Sequence, residues 1–509
     1  MKKTTVMSLL MITALAVSAC GADTDTTSET TEITTEAADT NNTDKPDGQP
    51  PQDGQGGPGG EMGQPPEGGQ GAQNAPGGNG APGGFGGSGE VTQGTAATTI
   101  DTDGTYTAET YTSTGDDENA LRMDGAEVTL TNITVDKASG ATSNTEDGDF
   151  YGMNAALLAT DGANVTITGA AVTSSAQNGN GVFSYGEGTV VNISDSTITT
   201  TADNSGGIQT TGGGTTNAMN LTVKTSGNSS AAIRSDRGGG TVVVNKGTYE
   251  SNGYNSPAVY STADITVKNA TLIANNSEAL VIEGQNSITL ENCDVTGNMS
   301  DTQGSSSEEN VHNVMIYQSM SGDAKVGTSN FSMTGGTLTS QNGDMFYVTN
   351  THCTLTLSGV KIVNQDSDGV LMRVVGNSAS HGWGSAGSNG AQVDATFDSQ
   401  TVEGDIVVDT ISTLNLTLSN NSSFTGTINI IDNAEGGTAV DNNAVVTVEK
   451  GSTWTLTGNC TISSPEKIKF SNNKLTDTFY YYGRLNITSE ETEETIELKR
   501  AVAQFKVHI

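Results

Sequence analysis

The sequence predicts an all-β fold: a single right-handed parallel β-helix of about a dozen coils, preceded by a disordered N-terminal linker. Three observations predict it. Short runs alternate apolar residues with Thr, Asn or Ser, turn residues recur at intervals of about 24 residues, and only 5% of the 509 residues are aromatic while 65 are Gly. Such a composition suits a narrow core built one layer at a time, because each coil of a solenoid packs only on its neighbours.

The repeat consists of an apolar-Thr-apolar strand, a turn residue and a second short strand. Four instances are Val128–Val135, Val165–Val172, Ile265–Leu272 and Ile288–Val295. Most intervals between turn residues are 23 to 26 positions, and the turn residues are Asn132, Gly169, Asp195, Asn220, Lys246, Asn269, Asn292, Gly335 and Gly359. Wider spacings predict inserted loops at residues 137–153, 299–313 and 376–391.

The N-terminal residues predict export followed by a tether. Residues 1–19 combine a basic start with an apolar run that is too short to span a bilayer, as in a signal peptide. Residues 20–94 are rich in Thr and Glu and then in Gly, Pro and Gln, and eight of the chain's ten prolines lie between Pro46 and Pro82. A segment of this composition buries too little apolar surface to fold, so we expect a disordered tether.

The end of the apolar run, Val17-Ser18-Ala19-Cys20, resembles the bacterial lipobox. The resemblance implies that Cys20 is lipidated. It also implies an exported protein held on the outer face of the bacterial membrane, at the cell surface, with the lipid as its only membrane contact. The alternative is an ordinary signal peptide with a chance cysteine.

The remaining chain divides into a β-helix over residues 95–474 and C-terminal capping strands over 475–509. The last segment contains Phe479-Tyr480-Tyr481-Tyr482, and solenoid ends need covers against edge-to-edge growth. Cys293, Cys353 and Cys460 are odd in number, so they cannot all pair within the chain. We interpret them as small buried core residues, with reactive thiols or metal ligands as the alternative.

The formal net charge of −37, with only 21 basic residues, disfavours nucleic acid and anionic lipid as partners. We expect a monomer and no cofactor other than Ca²⁺. The acidic turns Asp101–Gly104 and Asp366–Gly369 are candidate Ca²⁺ ligands, with solvated turns as the alternative. The four histidines are scattered and have no metal-binding spacing.

Residues 95–509 resemble the right-handed parallel β-helix proteins of the pectate-lyase-like superfamily. Within it, the Gly-Gly-Thr turns and the run Ser452–Gly458 are similar to Thr/Gly/Asn-rich adhesins and autotransporter passengers. The resemblance implies a surface lipoprotein that acts as a non-catalytic adhesin or carbohydrate-binding protein. Its motifs specify a fold and not an activity.

The strands that precede each motif predict one outward ribbon, because alternation places every second side chain outside the tube. Aromatic, arginine and carboxylate groups on rungs ~4.8 Å apart would form a contact strip for a polysaccharide or for a host or neighbouring protein. The alternative is a ladder of cross-strand pairs that only stabilises the sheet. The predicted ligand-binding residues are Arg122, Asp124, Phe183, Tyr185, Gln209, Arg234, Asp236, Tyr260, Glu283, Tyr317, Tyr347 and, from the last insertion, Trp383.

An enzyme acting on the same face is the second hypothesis, and a passive spacer is the third. In polysaccharide lyases of this superfamily an Arg or Lys acts as base beside Ca²⁺-binding carboxylates. The resemblance therefore implies Arg234, Asp236 and Glu283 as the catalytic residues of a lyase or a glycoside hydrolase. The paired acids of those families are missing, and Asp236 and Glu283 lie two rungs apart, roughly 9–10 Å, just beyond the ~6.5–9.5 Å of inverting glycosidases.

Overall fold

Alternating apolar and hydroxyl residues form short parallel strands that stack into a β-helix. The computed structural model describes residues 91–299, 310–458 and 460, and the backbone of two further strands, 468–470 and 487–489. The predicted signal peptide, Cys20 and the tether up to residue 90 lie outside the described residues, as does most of the predicted C-terminal cap.

One coil shows how the sequence produces the tube. Its three strands are Leu121–Asp124, Glu127–Thr131 and Thr134–Lys137. In the second strand Val128 and Leu130 are buried while Thr129 is exposed. The next coil repeats the pattern in register, so that apolar residues stack on apolar residues along the axis. Each coil thus contributes one thin layer to a continuous core.

The first strands of the coils form a parallel sheet of 13 strands, called here the 13-strand sheet. This count confirms the prediction of about a dozen coils. The strands are Thr99–Ile100, Leu121–Asp124, Leu157–Thr160, Val182–Tyr185, Ile208–Thr211, Ile233–Ser235, Val259–Ser261, Leu280–Glu283, His312–Tyr317, Asp344–Thr349, Met372–Val374, Ile406–Asp409 and Ile428–Ile431.

The second and third strands of the coils form the 21-strand sheet, in which four long strands run through both positions. Its strands are Gly104–Thr107, Thr110–Ser113, Glu127–Thr131, Thr134–Lys137, Asn164–Thr168, Ala171–Ser174, Val190–Ser194, Thr197–Thr200, Gly214–Thr225, Gly240–Ser251, Asp264–Lys268, Thr271–Ala274, Ser287–Gly297, Thr328–Ser340, His352–Ser358, Lys361–Asn364, Gln392–Asp398, Thr413–Ser419, Ala444–Val448, Ile468–Phe470 and Ile487–Ser489. Two small sheets complete the described strands, Thr95–Ala96 with Glu118–Asn119, and Thr401–Glu403 with Ser423–Thr425 and Thr453–Thr455.

The nine predicted turn residues all adopt left-handed backbone conformations, with φ between 50° and 70°. Gly, Asn and Asp occupy eight of these positions, because they tolerate positive φ better than other residues do. Side chains also connect neighbouring turns, as where Asn220 Nδ2 donates to Asp195 Oδ1 at 2.7 Å. The interval between successive turn residues is therefore the number of residues between one corner of the tube and the corner that stacks on it.

The helix α1, Thr145–Tyr151, lies in the first predicted insertion. Asn144 caps it by accepting the amide of Glu146 at 3.0 Å, and Gly152 ends it with a φ of 82°. No helix within the described residues is long and apolar enough to cross a membrane.

The three described cysteines carry free thiols. Cys293 and Cys353 are fully buried and Cys460 is half-buried. Desolvation raises the pKa of the Cys293 thiol above its ordinary value, which disfavours the reactive thiolate. This environment agrees with the interpretation of Cys293 as a core residue.

Candidate functional site

The outward row of the 13-strand sheet has the register that alternation predicts. Its inward neighbours, such as Ile233 and Val259, are fully buried in the tube. Backbone pairing places the following outward residues on successive strands: Arg122, Leu158, Phe183, Gln209, Arg234, Tyr260, Val281, Met315 and Tyr347. The direction of these side chains was therefore predictable from the sequence.

The prediction that these side chains are exposed to solvent is wrong for six of the twelve predicted contacts, which are buried. Phe183 and Gln209 are 0% exposed, and Tyr347 and Glu283 are 2% exposed. Asp236 and Tyr317 are also buried, whereas the remaining predicted contacts are half-buried: Arg122, Asp124, Tyr185, Arg234, Tyr260 and Trp383. The reason is that chain segments inserted between the coils lie on the outer side of this sheet, and alternation carries no information about them.

The first cover is the insertion that contains α1. Gln209 Nε2 donates to the carbonyl of Asp149 at 2.8 Å, and Thr211 Oγ1 donates to the carbonyl of Phe150 at 2.5 Å. The ring of Tyr151 meets that of Tyr185 edge-on, with centroids 5.6 Å apart. The helix is thus fixed to the sheet by both hydrogen bonds and aromatic packing.

Two further loops cover the middle of the same sheet, at residues 318–327 and 376–390. In the first, Ser319 Oγ donates to Glu283 Oε1. In the second, the ring centroids of Trp383 and Tyr317 are 4.7 Å apart, and the His381 ring stacks on Trp383 with centroids 4.3 Å apart. The tryptophan therefore packs onto the solenoid.

Beneath the covers, Arg234 lies between two carboxylates. Its guanidinium is 3.1 Å from Asp149 Oδ1 and 2.9 Å from Asp236 Oδ2, and the three side chains are 9 to 14% exposed. Burial, reinforced by the negative charge of Asp149, raises the pKa of Asp236 to about 7 against the attraction of Arg234. Burial also raises the pKa of Asp149. One guanidinium therefore does not fully stabilise both carboxylates.

Burial opposes the charged form of Arg234, but Asp149 and Asp236 outweigh it and raise the pKa of the guanidinium above its ordinary value. A group whose proton is held by two carboxylates is a poor base. The lyase role that the resemblance implied for Arg234 is therefore not supported by its surroundings.

A second network surrounds Glu283. Tyr260 and Tyr317 donate their hydroxyls to Oε2 at 2.5 Å and 3.1 Å, and Ser319 donates to Oε1. Burial and the neighbouring Glu283 raise the pKa of both tyrosines well above their ordinary values, so the tyrosines remain donors. Three hydroxyl donors thus fix the orientation of this carboxylate.

Carboxylates outnumber guanidinium groups in these two networks. The two networks hold two guanidinium groups, those of Arg234 and Arg237. They hold four carboxylates, those of Asp149, Asp236, Glu283 and, nearest the surface, Asp323. A surface with this balance repels polyanions such as uronic-acid polymers.

The candidate Ca²⁺ turns use their carboxylates within the fold. Asp103 Oδ1 accepts the amide of Glu127 at 2.9 Å, and Asp366 Oδ2 accepts that of Gly343 at 2.8 Å. The second bond contributes to a lowered pKa of Asp366. Among the described residues, no group of three or more His, Cys, Asp or Glu is placed to hold a metal ion.

Sequence reasoning missed the residues that the insertions contribute. Asp149, Phe150 and Tyr151 belong to the run Glu146-Asp147-Gly148-Asp149-Phe150-Tyr151, which is dense in aromatic and acidic residues for a chain that is 5% aromatic. That density was the available signal. Ser319 and Asp323 carry no comparable signal.

Searches of protein-family models, curated proteins and solved structures found no match to the chain. The strand topology itself establishes the parallel β-helix.

Proposed function

We propose that the protein is a bacterial cell-surface lipoprotein that binds an extracellular glycan on the outer side of the 13-strand sheet. One observation carries the proposal. Three loops inserted at different places in the chain, 138–154, 318–327 and 376–390, lie on this one side of one sheet. In solenoids, insertions that share a face commonly build the binding surface.

The chemistry of this face suits sugars. Half-buried rings stand on both sides of the charged networks, with Tyr151 and Tyr185 toward the N-terminal coils and Trp383 toward the C-terminal coils. Aromatic faces pack against sugar C–H groups, while nearby polar groups fix orientation. Met320 and Val326, which are 56% and 70% exposed, extend the apolar part of the surface in the middle loop.

The excess of carboxylates narrows the ligand class. A neutral or amino-bearing glycan avoids the repulsion that a polyuronate would meet on this surface. The proposed contacts are accordingly the accessible residues Tyr151, Tyr185, Tyr260, Arg237 and Trp383, while Phe183, Gln209 and Tyr347 support the face from beneath.

A glycan array probed with the purified full-length protein tests the proposal. Replacing Trp383 or Tyr185 with Ala should weaken retention of the bound glycan about tenfold or more, by analogy with aromatic hot spots. Met219→Ala is the matched control, because Met219 is 51% exposed on the 21-strand sheet. If the wild type retains no glycan, the binding function is wrong and the passive spacer gains support. If Trp383→Ala and Tyr185→Ala weaken glycan retention no more than Met219→Ala does, the binding site lies elsewhere.

A glycoside hydrolase on the same face is the second candidate. It is favoured by the different environments of two carboxyl groups: the pKa of Asp236 is raised to about 7, whereas Glu283 accepts three hydroxyl donors. Such divergence is typical of an acid and base pair. The test is release of reducing sugar from neutral polysaccharides, which Asp236→Asn should abolish while leaving binding intact. Absence of any release by the wild type rejects this candidate.

A further inference from the structure

The covered part of the 13-strand sheet has a polar centre, and the outward residues on either side of it, such as Phe183 and Met315, are apolar and equally buried. Gln209 and Thr211 are 0% exposed, and Asp236 and Glu283 are 6% and 2% exposed. Gln209 Oε1 is also buried without a hydrogen-bond partner. Apolar side chains at this centre would hold a permanent cover equally firmly, because buried ion pairs rarely add net stability. The polar centre therefore offers hydrogen-bonding groups to a ligand wherever the cover opens.

A single side chain, that of Arg237, touches two of the covering loops. Its guanidinium carbon lies 3.9 Å from the ring centroid of Phe150, which belongs to α1. Its Nη2 and Nε lie 2.8 Å and 2.9 Å from Asp323 Oδ1, in the 318–327 loop. The side chain of Arg237 is 30% exposed, so a ligand in solvent can reach it while the cover is closed.

The backbone beneath Arg237 is held in place. The turn Gly238–Gly240 stacks on the corresponding turn of the previous coil, and a Cβ added at Gly238 would lie only 2.8 Å from Gly212 Cα. The backbone amide of Arg237 also donates to Asp236 Oδ1 at 3.0 Å. A change at this position is therefore taken up by the side chain and by the two loops that it contacts.

We propose that Arg237 is a clasp that holds α1 and the 318–327 loop together over the Arg234 and Glu283 networks, and that its release admits ligand to them. The role of the opened surface rests on the proposed glycan-binding function, whereas the clasp itself is a property of the fold. Sugar hydroxyls would replace Asp323 as the partner of the guanidinium.

Hydrogen exchange of the full-length protein tests the clasp without a ligand. In Arg237→Ala the amides of residues 144–152 should exchange about fivefold faster, as expected for the loss of one surface ion pair and one cation–π contact. Arg237→Lys should give a smaller increase, since an ammonium keeps the charge but loses the planar fork. Lys224→Ala breaks the 3.0 Å ion pair with Glu250 on the 21-strand sheet and should leave residues 144–152 unchanged. Unchanged exchange in Arg237→Ala would overturn the proposal.

A second variant separates a clasp from a local contact. Asp323→Asn alters the loop opposite α1, yet a clasp requires that exchange in residues 144–152 still accelerates. If only the residues around 323 respond, Arg237 does not connect the two loops and the proposal fails.

Ligand association then distinguishes the clasp from the proposed function. With a glycan identified on the array, Arg237→Ala should associate about fivefold faster than the wild type. If α1 exchange accelerates and neither protein binds any glycan, the clasp stands and the binding function fails. If exchange accelerates but association is equally fast in both proteins, Arg237 holds the two loops but does not control access, and the proposal that its release admits ligand is refuted.

Discussion

At the scale of residues, the molecule depends on how Arg234 and its two carboxylates share charge. Alternation predicted that Arg234 points away from the tube, because its neighbour Ile233 has to fill the core. It did not predict Asp149, which reaches Arg234 from a loop 85 positions earlier. A periodic pattern fixes the direction of a side chain but not its long-range partner, so half of this network was invisible in the sequence.

Arg234→Ala should destabilise the protein by about 3–5 kcal/mol, because it leaves two buried carboxylates without their cation. Urea denaturation measures the loss. Lys224→Ala removes an exposed ion pair and should change the free energy of unfolding by less than about 1 kcal/mol. A similar small effect for both variants would mean that the Arg234 network is solvated.

The raised pKa of Asp236 sets the sign of a pH effect. Its folded pKa of about 7 exceeds the unfolded value of ~3.9, so the folded state binds more protons between these values. This group therefore adds stability as the pH falls from about 7 toward 4, and loses it as the pH rises. Denaturation of wild type and Asp236→Asn at pH 5 and pH 8 should show that the variant lacks this contribution.

Asp366 should show a pH effect of the opposite sign. Backbone amides lower its pKa, so the stability that its carboxylate contributes is present above the unfolded pKa. That stability is lost as the pH falls through the lower folded pKa. Asp366→Asn should therefore remove a stabilisation that is greatest at neutral pH. The same sign of effect for both variants would contradict the assignment of these shifts.

At the scale of elements, the corner between the second and third strands is the part of the fold that the sequence specified best. Asn, Asp and Gly mark it because positive φ selects them, and all nine predicted positions have that backbone conformation. Two of the three covering loops were predicted as insertions, at 137–153 and 376–391, but their destination was not, and the 318–327 loop was not predicted at all. No repeat determines where a single inserted loop folds back, so only its own composition could indicate a role.

Asn220→Ala should destabilise the β-helix by about 1–2 kcal/mol, since a φ of 54° is strained for Ala and the hydrogen bond to Asp195 is lost. Asn217→Ala is the matched control, because Asn217 lies in the same strand and also donates to a neighbouring coil, at 2.9 Å from Asn192 Oδ1, but does not have a positive φ. Thermal denaturation of both variants isolates the backbone term. Equal losses would show that the corner conformation contributes little.

At the scale of the whole molecule, the sequence predicts a surface protein whose β-helix stands on a tether. The all-β solenoid was predictable because it repeats, and the described coils confirm it. The anchor stays a prediction that rests on the sequence around Cys20. Cys20→Ser should move the protein from the membrane fraction to the soluble exported fraction, measured by cell fractionation with an unchanged total amount. Retention in the membrane fraction would refute lipidation at this position.

The inserted loops over the 13-strand sheet are the proposed ligand-binding face. Hydrogen-exchange footprinting with a bound glycan tests this proposal most directly, because it reports every covered backbone segment at once. We predict that protection appears in residues 144–152, 318–324 and 380–384, with the 21-strand sheet unaffected. Protection of the 21-strand sheet, with exchange in these three loops unchanged, would contradict a binding site on the 13-strand sheet.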